Sequence, residues 1–302
     1  MMNENESQGM RAGLLMIAAM LIIGVIDNFI APLAQHIGLW QFHLVRALIA
    51  LPLVALLSLL KLGTLRPVRW WAVALRSLLI AVSMLFYFSA LALMPIAQAL
   101  AGLFTSPIFI LLINALFMGQ RPGIWRCVAV AIGFAGTLFV LQPNPNDFDW
   151  MVLIPVAGGL FYALGAIATR SLCAEESTVA VLAGMWVMLG LLGAIGLVVL
   201  AVLPGAYEQE AEGFVTRGWV WPMTDAIPLV ILQAVGSVAG VFLIIKAYQL
   251  GHPSYVSVFE FSVMGFGPLF AWIAFGQVIS HWQILGIAMI ALAGAIIATR
   301  SK

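Results

Sequence analysis

The sequence has very few charged side chains. Only 13 Lys and Arg and 12 Asp and Glu occur among its 302 residues, so 8% of the chain is charged, against about 25% in soluble domains. Hydrophobic residues make up 64%. The runs 77–120 and 261–299 contain no charged residue, and each is long enough for two membrane-spanning helices of roughly 20 residues. This composition excludes a cytosolic enzyme and a disordered chain. It predicts an all-α membrane protein, because the strands of a membrane barrel alternate apolar and polar residues.

Cysteines and catalytic motifs are scarce as well. The two cysteines, Cys127 and Cys173, are far apart and form no CxxC motif, so neither a metal site nor a disulfide is predicted. A net charge of +1 provides no basic patch for nucleic acid. The sequence contains no P-loop, HExxH or GxSxG motif. We therefore expect no cofactor and no catalytic residue, with a membrane-embedded enzyme, a channel and a membrane sensor as minor alternatives.

Apolar stretches bounded by Pro, Gly and charged residues predict ten membrane spans. The predicted spans cover 12–34, 39–60, 70–93, 96–118, 124–142, 149–169, 178–203, 226–249, 253–276 and 281–299.

Lys and Arg are distributed unevenly between the two sides of these spans. One side holds Arg11, Lys61, Arg66, Arg69, Arg121, Arg126, Arg170, Arg300 and Lys302. The other side holds only Arg217. By the positive-inside rule, both termini are predicted to be cytoplasmic, with a cytoplasmic tail at 1–11 and an external acidic loop at 204–225. We expect a multi-pass protein of the cytoplasmic (inner) membrane.

An internal repeat relates residues 90–131 to residues 247–288 at an offset of 157. The identical pairs are Ala90/Ala247, Leu93/Leu250, Phe104/Phe261, Phe109/Phe266, Gly119/Gly276, Gln120/Gln277 and Trp125/Trp282. Five spans per copy is an odd number, so the second copy inserts upside down. We therefore predict two inverted five-helix repeats, 12–142 and 149–299. Such repeats are typical of secondary transporters, which bind substrate near the bilayer midplane between the halves.

Several ionisable residues lie within the predicted spans, where a charge is costly and usually faces a cavity or the bundle interior. Glu260 lies in the middle of span 9, where it is predicted to bind a substrate or exchange a proton. The alternative is a structural pair with Lys246, which is itself a weaker cavity candidate. Asp27, next to Asn28, either lines the cavity or forms an ion pair with Arg46. Structural roles are favoured for Arg46 and for Arg76, which is close enough to the span end to snorkel.

Aromatic and proline residues complete the candidate site. Gln98 and Tyr255 occupy equivalent positions of the two copies, and Tyr255 shares a helix face with Phe259. Pro107 and Pro268 are predicted to break spans 4 and 9, and discontinuous helices in corresponding places indicate a binding region. The predicted substrate-binding residues are Glu260, Gln98, Tyr255, Asp27, Asn28, Tyr87, Tyr162, Phe259 and Lys246.

The order and spacing of these elements resemble those of the drug/metabolite transporter superfamily, in the branch built from two EamA-type repeats. The resemblance rests on Asp27, Arg46, Arg76-Ser77, the segment 90–99, Pro107 and the Gly-Gln turns at 119–120 and 276–277. It implies a ten-helix transporter with a central cavity lined mainly by helices 1, 3, 4, 6, 8 and 9. Substrates in this superfamily include amino acids, vitamins and nucleotide-like cofactors.

The sequence departs from this superfamily at some charged positions. Gln120, Gln277 and Gln98 stand where relatives often carry Glu, and Ala31 stands where many carry Lys. These differences predict transport that is weakly pH-dependent or facilitative.

Together these features predict a secondary transporter that moves a small polar or amine-bearing metabolite by alternating access. The alternative is a multidrug exporter of cationic compounds. The expected partners are a small-molecule substrate and the lipid bilayer, with a proton or another coupling ion left open, in a monomer or homodimer.

Overall fold

The computed structural model describes residues 4–94, 96–117, 119, 123–142, 150–202, 211–276 and 278–300. The α-helices are α1 Glu4–Asp27, α2 Ile30–His36, α3 Leu39–Leu59, α4 Trp70–Leu93, α5 Ile96–Leu103, α6 Ser106–Leu116, α7 Ile124–Leu141, α8 Leu153–Ser171, α9 Thr178–Val202, α10 Ile227–Leu250, α11 Pro253–Val256, α12 Val263–Phe275 and α13 His281–Arg300. Short 3₁₀ segments lie at Trp150–Val152, Ala211–Phe214 and Ser257–Ser262.

Ten stretches of these helices are long and apolar enough to cross a membrane, which confirms the predicted all-α membrane fold and its ten spans. The first span differs from its predicted range, 12–34. Helix α1 ends at Asp27, and the short helix α2 follows separately. The Asn28 side-chain amide donates a 2.7 Å hydrogen bond to the Gly24 carbonyl, which is the acceptor that the next helical N–H would use. Asp27 therefore lies at a helix end rather than two-thirds of the way along a span.

The helices pack in pairs that cross between the two halves of the chain. The most extensive contacts join α7 with α13, α3 with α9, α1 with α10 and α4 with α8. In span numbers these pairs are 5 with 10, 2 with 7, 1 with 8 and 3 with 6. If spans 1 to 5 are exchanged in order with spans 6 to 10, the same four pairs result.

Spans 4 and 9 are both interrupted, and the interruptions are related by the repeat offset of 157. Thr105 Oγ1 donates to the Gly102 carbonyl and Ser262 Oγ donates to the Phe259 carbonyl, both at 2.6 Å. A side-chain hydroxyl that takes a backbone carbonyl competes with the helical hydrogen bond and loosens the helix there. Thr105 separates α5 from α6, and Ser262 ends the 3₁₀ segment before α12.

The two prolines that were predicted to cause these breaks behave differently. Pro107 lies in the first turn of α6, where its missing N–H has no helical partner to lose. Pro268 lies inside α12, beyond the break, so its prediction as the break point of span 9 is wrong. The hydroxyl at Ser262 marks the interruption instead.

The two glycines of the Gly-Gln turns, Gly119 and Gly276, share a backbone conformation. Gly119 has φ 63° and Gly276 has φ 65°, in the left-handed region that glycine enters without steric cost. This requirement explains why glycine occurs at both positions of the repeat.

Loops close over both ends of the bundle. On the face that carries the chain ends, the Glu176 carboxylate accepts from the backbone N–H groups of Val68 and Arg69 at 2.7 and 2.6 Å. On the opposite face, Arg217 Nη1 donates to the carbonyls of Ala34 and Gln35 at 2.8 and 3.1 Å. Each loop is thus tied across neighbouring helix ends, with the bundle interior between them.

Candidate functional site

A cavity of about 150 Å³ lies in the bundle interior where the interrupted helices meet. Cavities of similar volume in other proteins admit a benzene ring, so a substrate with several rings requires the helices that line this cavity to move apart. Spans 1 to 4 and 6 to 9 contribute to its lining, while no described residue of α7 or α13 does. Spans 2 and 7 line it in addition to the six that the resemblance implies, through Arg46 on α3 and through Trp186 and its neighbours on α9. Much of the wall is apolar and includes Met20, Ile23, Ile80, Met84, Val241 and Ile244.

One set of polar residues, the Glu260 group, lies toward the face with the chain ends: Glu260, Tyr162, Tyr248, Arg76 and Thr169. Glu260 is 2% exposed and sits in the 3₁₀ segment. Its Oε1 accepts hydrogen bonds from Tyr162 Oη at 2.8 Å and from Tyr248 Oη at 2.7 Å. Two hydroxyls thus fix the carboxyl group, and the Tyr pair, rather than Lys246, is its partner.

Arg76 belongs to the same group and does not snorkel to the surface, contrary to the prediction. It is 2% exposed and lines the cavity. Its Nε donates to Thr169 Oγ1 at 3.0 Å, while its Nη1 has no hydrogen-bond partner in the part of the chain that the structure describes.

A second set, the Asp27 group, consists of Asp27, Arg46, Trp186 and Tyr87. Asp27 is the last residue of α1 and so lies toward the opposite face. Arg46 is 5% exposed, and its guanidinium carbon lies 4.3 Å from the Phe42 ring centroid, 5.1 Å from that of Trp186 and 5.5 Å from that of Phe88. Its Nη2 also donates to His43 Nδ1 at 3.3 Å. Cation–π contacts of this kind hold a guanidinium in place without using all of its N–H donors.

Three donors among the cavity-lining residues have no hydrogen-bond partner in the described structure. They are Arg46 Nε, Trp186 Nε1 and Arg76 Nη1. A buried donor without a partner costs about 1–3 kcal/mol, and such groups are rare except where a ligand or water completes them. The cavity is therefore suited to a molecule with several hydrogen-bond acceptors.

Comparison with known proteins gives a family match. The family model described as "EamA-like transporter family" matches residues 10–142, which is nearly the whole predicted first repeat. This match and the transporter names of its relatives support the resemblance to EamA-type transporters of the drug/metabolite transporter superfamily. A crystal structure of another protein shares its fold, with a TM-score of 0.76 at 19% identity over 94% of this chain and 95% of that one.

Two relatives that align over most of the chain are both named riboflavin transporter. One, from Rhizobium johnstonii, is 29% identical over 251 residues, covering 83% of this chain and 76% of the relative. The other, from Vibrio cholerae, is 26% identical over 294 residues, covering 95% of this chain and 93% of the relative. The chain is therefore a secondary transporter of a small metabolite, and its relatives are transporters rather than enzymes.

The transporter brings together four of the residues predicted from sequence. Asp27, Tyr87, Tyr162 and Glu260 all line the cavity. The side chain of Gln98 lies outside the described residues.

Four other predicted residues lie away from the cavity lining. Asn28 holds the break after α1, and Lys246 is exposed on α10. Tyr255 and Phe259 do share a face, with ring centroids 5.3 Å apart. That face packs toward α1, where a Cβ added at Gly13 would lie 2.9 Å from the Phe259 ring.

Sequence reasoning missed Tyr248 and gave Trp186 no role in the site. Trp186 is 1% exposed, and its depth within span 7 was the available signal, because an interfacial tryptophan would lie nearer a span end. Tyr248 lies two residues from the end of α10, a position that gives no such signal.

Proposed function

We propose that this transporter carries a flavin-type vitamin, with riboflavin as the first candidate, and that the substrate binds in the central cavity. The single observation that carries the proposal is the set of three buried, unpartnered donors on an otherwise largely apolar, aromatic-bearing wall. Riboflavin is a flat, uncharged ring system with several carbonyl and ring-nitrogen acceptors and a polyhydroxyl chain. The names of the two relatives support the same substrate class.

The two polar groups suit the two parts of such a molecule. The aromatic Asp27 group is matched to the flat ring, which stacks on aromatic side chains. The Glu260 group is matched to the hydroxyl chain. Two tyrosine hydroxyls hold Glu260 Oε1 in place, and Arg76 Nη1 is a donor without a partner among the described residues. In this arrangement Glu260 and Arg76 contact the substrate hydroxyls.

Transport proceeds in this proposal by rocking of two inverted halves, 12–142 and 149–299, about the cavity. Three features support the repeat: the pairing of helices across the halves, the equivalent hydroxyl-capped breaks and the two left-handed glycines. We further propose that both termini are cytoplasmic in the inner membrane. The coupling ion is a proton exchanged at Glu260, or none if transport is facilitative.

A second candidate function is export of cationic compounds. It is favoured by the two carboxyl groups, Asp27 and Glu260, that line the same apolar cavity. In that case the bound cation would supply the ion-pair partner that neither acid has among the described residues.

Ligand binding to the purified protein in detergent tests the two functions against each other. The panel contains riboflavin, lumiflavin, thiamine, amino acids and tetraphenylphosphonium, and the readout is thermal stability together with quenching of flavin fluorescence. A ligand at 100 times its Kd stabilises the folded state by about 2.7 kcal/mol, so we expect a clear rise in Tm with riboflavin. Stabilisation by hydrophobic cations but not by flavins would instead establish the exporter.

Glu260→Gln tests the role of the Glu260 group in transport. Replacing the charged group by an amide weakens two buried hydrogen bonds, each worth about 1.5–3 kcal/mol when one partner is charged, and weakens the contact with the substrate hydroxyls. We expect riboflavin uptake into cells to fall about 100-fold. The matched control is Glu175→Gln, since Glu175 is exposed in a loop, and it should transport normally. Normal uptake by Glu260→Gln would contradict the assignment.

A further inference from the structure

We propose that Asp27, Arg46 and Trp186 form a subsite for a cyclic imide, the carbonyl–NH–carbonyl edge found in flavins and in uracil. The inference rests on the proposed function and specifies which edge of the substrate the Asp27 group recognises. All three residues line the same cavity, and they come from α1, α3 and α9.

The three side chains share one cavity but do not satisfy one another. The Arg46 guanidinium carbon lies 5.1 Å from the Trp186 ring centroid, and Asp27 lines the cavity with both. Asp27 and Arg46 nevertheless form no direct ion pair; within the described ranges that geometry occurs only between Arg69 and Glu176. The predicted alternative of an Asp27–Arg46 clamp is therefore not what the structure has.

The hydrogen-bonding capacity left over at these residues has a definite pattern. Arg46 Nε and Trp186 Nε1 are buried donors without partners among the described residues. Asp27 is only partly buried, lines the cavity, and accepts no hydrogen bond from the residues that the structure describes. A carboxyl group always offers at least one acceptor oxygen. The subsite thus presents at least two donors and at least one acceptor.

A cyclic imide is complementary to that pattern, because it presents two carbonyl acceptors on either side of one N–H donor. The carbonyls pair with Arg46 and Trp186, and the N–H pairs with Asp27. The charges of the subsite favour a ligand with a neutral edge over a ligand with a carboxylate. Asp27 offsets the positive charge of Arg46, and a ligand carboxylate would be repelled by Asp27 in the same subsite. Aromatic rings flank the subsite, with Tyr87 and Phe88 both on the lining, and suit the flat ring that bears the imide.

The test compares riboflavin with N3-methylriboflavin, which keeps both carbonyls but lacks the imide N–H. Binding to the full-length transporter in detergent is measured by quenching of flavin fluorescence. Loss of a hydrogen bond to a charged group weakens binding by tenfold or more, so the unmodified protein should bind N3-methylriboflavin at least tenfold more weakly. Equal affinities would overturn the imide subsite while leaving riboflavin transport standing. No binding of either flavin would overturn the proposed function itself.

Two variants assign the contacts within the subsite. Asp27→Ala should bind riboflavin about tenfold more weakly and should no longer distinguish it from the N3-methyl compound. Trp186→Phe keeps a ring but removes the Nε1 donor, so it should weaken both flavins several-fold and preserve the discrimination. Discrimination that persists in Asp27→Ala would contradict the role of Asp27.

Matched controls separate these effects from damage to the fold. Asp225 and Trp272 are exposed, so Asp225→Ala and Trp272→Phe should bind both flavins as the unmodified protein does. Asp27→Asn, which retains an acceptor oxygen, should recover part of the discrimination if Asp27→Ala is poorly folded.

Competition by uridine or lumiflavin identifies the source of the imide. We expect lumiflavin to compete, and competition by uridine alone would overturn the flavin assignment.

Discussion

The two polar groups of the cavity contain the same kinds of charge but use them differently. Each has one acid and one arginine: Glu260 with Arg76, and Asp27 with Arg46. In the Glu260 group, two tyrosine hydroxyls at 2.8 and 2.7 Å hold the acid, and Thr169 holds the arginine. In the Asp27 group, rings surround the arginine, and the described residues donate no hydrogen bond to the acid.

This difference separates two ways in which a transporter keeps charge inside a membrane. Protein hydrogen bonds stabilise the Glu260 carboxyl, so its geometry is fixed before any substrate arrives. The Asp27 group has fewer protein partners and offers more open hydrogen-bonding positions. We therefore expect the Asp27 group to discriminate between substrates and the Glu260 group to control the transport step.

The largest effect in this comparison is expected from Arg46→Lys. Lysine keeps the charge but loses the planar guanidinium that lies among three rings, and it loses the Nε donor. We expect riboflavin to bind about 30-fold more weakly, measured by fluorescence quenching, with little change in the rate of transport at saturation. A reduced rate at unchanged affinity would reverse the roles assigned to the two groups.

A smaller effect is expected from Tyr248→Phe, which removes one of the two donors to Glu260 Oε1. Such a bond to a charged group is worth about 1.5–3 kcal/mol, so we expect the maximal uptake rate to fall about tenfold with riboflavin affinity changed less than threefold. Tyr255→Phe is the matched control, because Tyr255 lies off the cavity lining. A loss of affinity equal to the loss of rate would show that Tyr248 acts on binding.

The smallest effect concerns His252, in the loop between α10 and α11, where Ser254 N–H donates to its Nδ1. Burial and the nearby Arg126 and Arg170 lower the pKa of His252 from 6.5 to about 4. Because the folded-state pKa is depressed, this histidine stabilises the fold above pH 6.5, and its contribution is lost as the pH falls toward 4.

We therefore expect Tm to drop by a few degrees between pH 6.5 and 4, and His252→Asn, which retains a capping side chain, to flatten that slope. An unchanged slope in the variant would assign the pH dependence to other groups. In the His252→Asn variant, we expect the pH dependence of uptake that remains to come from the two cavity carboxyl groups, Asp27 and Glu260.

The sequence predicts the spans well because hydropathy is a local property, and nine of the ten predicted ranges lie within a few residues of the observed helices. The first span is the exception, since the Asn28 hydrogen bond that ends α1 is not visible in hydropathy. The break in span 4 is expected from Pro107, which indeed lies in the first turn of the next helix. The break in span 9 lies at Ser262 rather than at Pro268, because the bonding of a hydroxyl depends on its rotamer and is not visible in the sequence.

The site is predicted less completely because spacing along a helix does not say which neighbour a face meets. Tyr255 and Phe259 share a face as predicted, yet that face meets α1 rather than the cavity. Arg46 and Trp186 are distant in sequence, and only the packing of α3 against α9 brings them together. Glu260 and Asp27 are found from sequence because an acid inside a span is rare enough to indicate a site by itself.

A structure of the transporter with bound riboflavin is the most direct test of the central claim, that one cavity binds the substrate through two different polar groups. We expect the flavin ring beside Arg46 and Trp186, with its imide N–H on Asp27, and the hydroxyl chain reaching Glu260 and Arg76. Riboflavin found with its ring at Glu260 and its chain at Asp27, or bound outside the cavity in the groove beside Phe259 and Phe266, would contradict it.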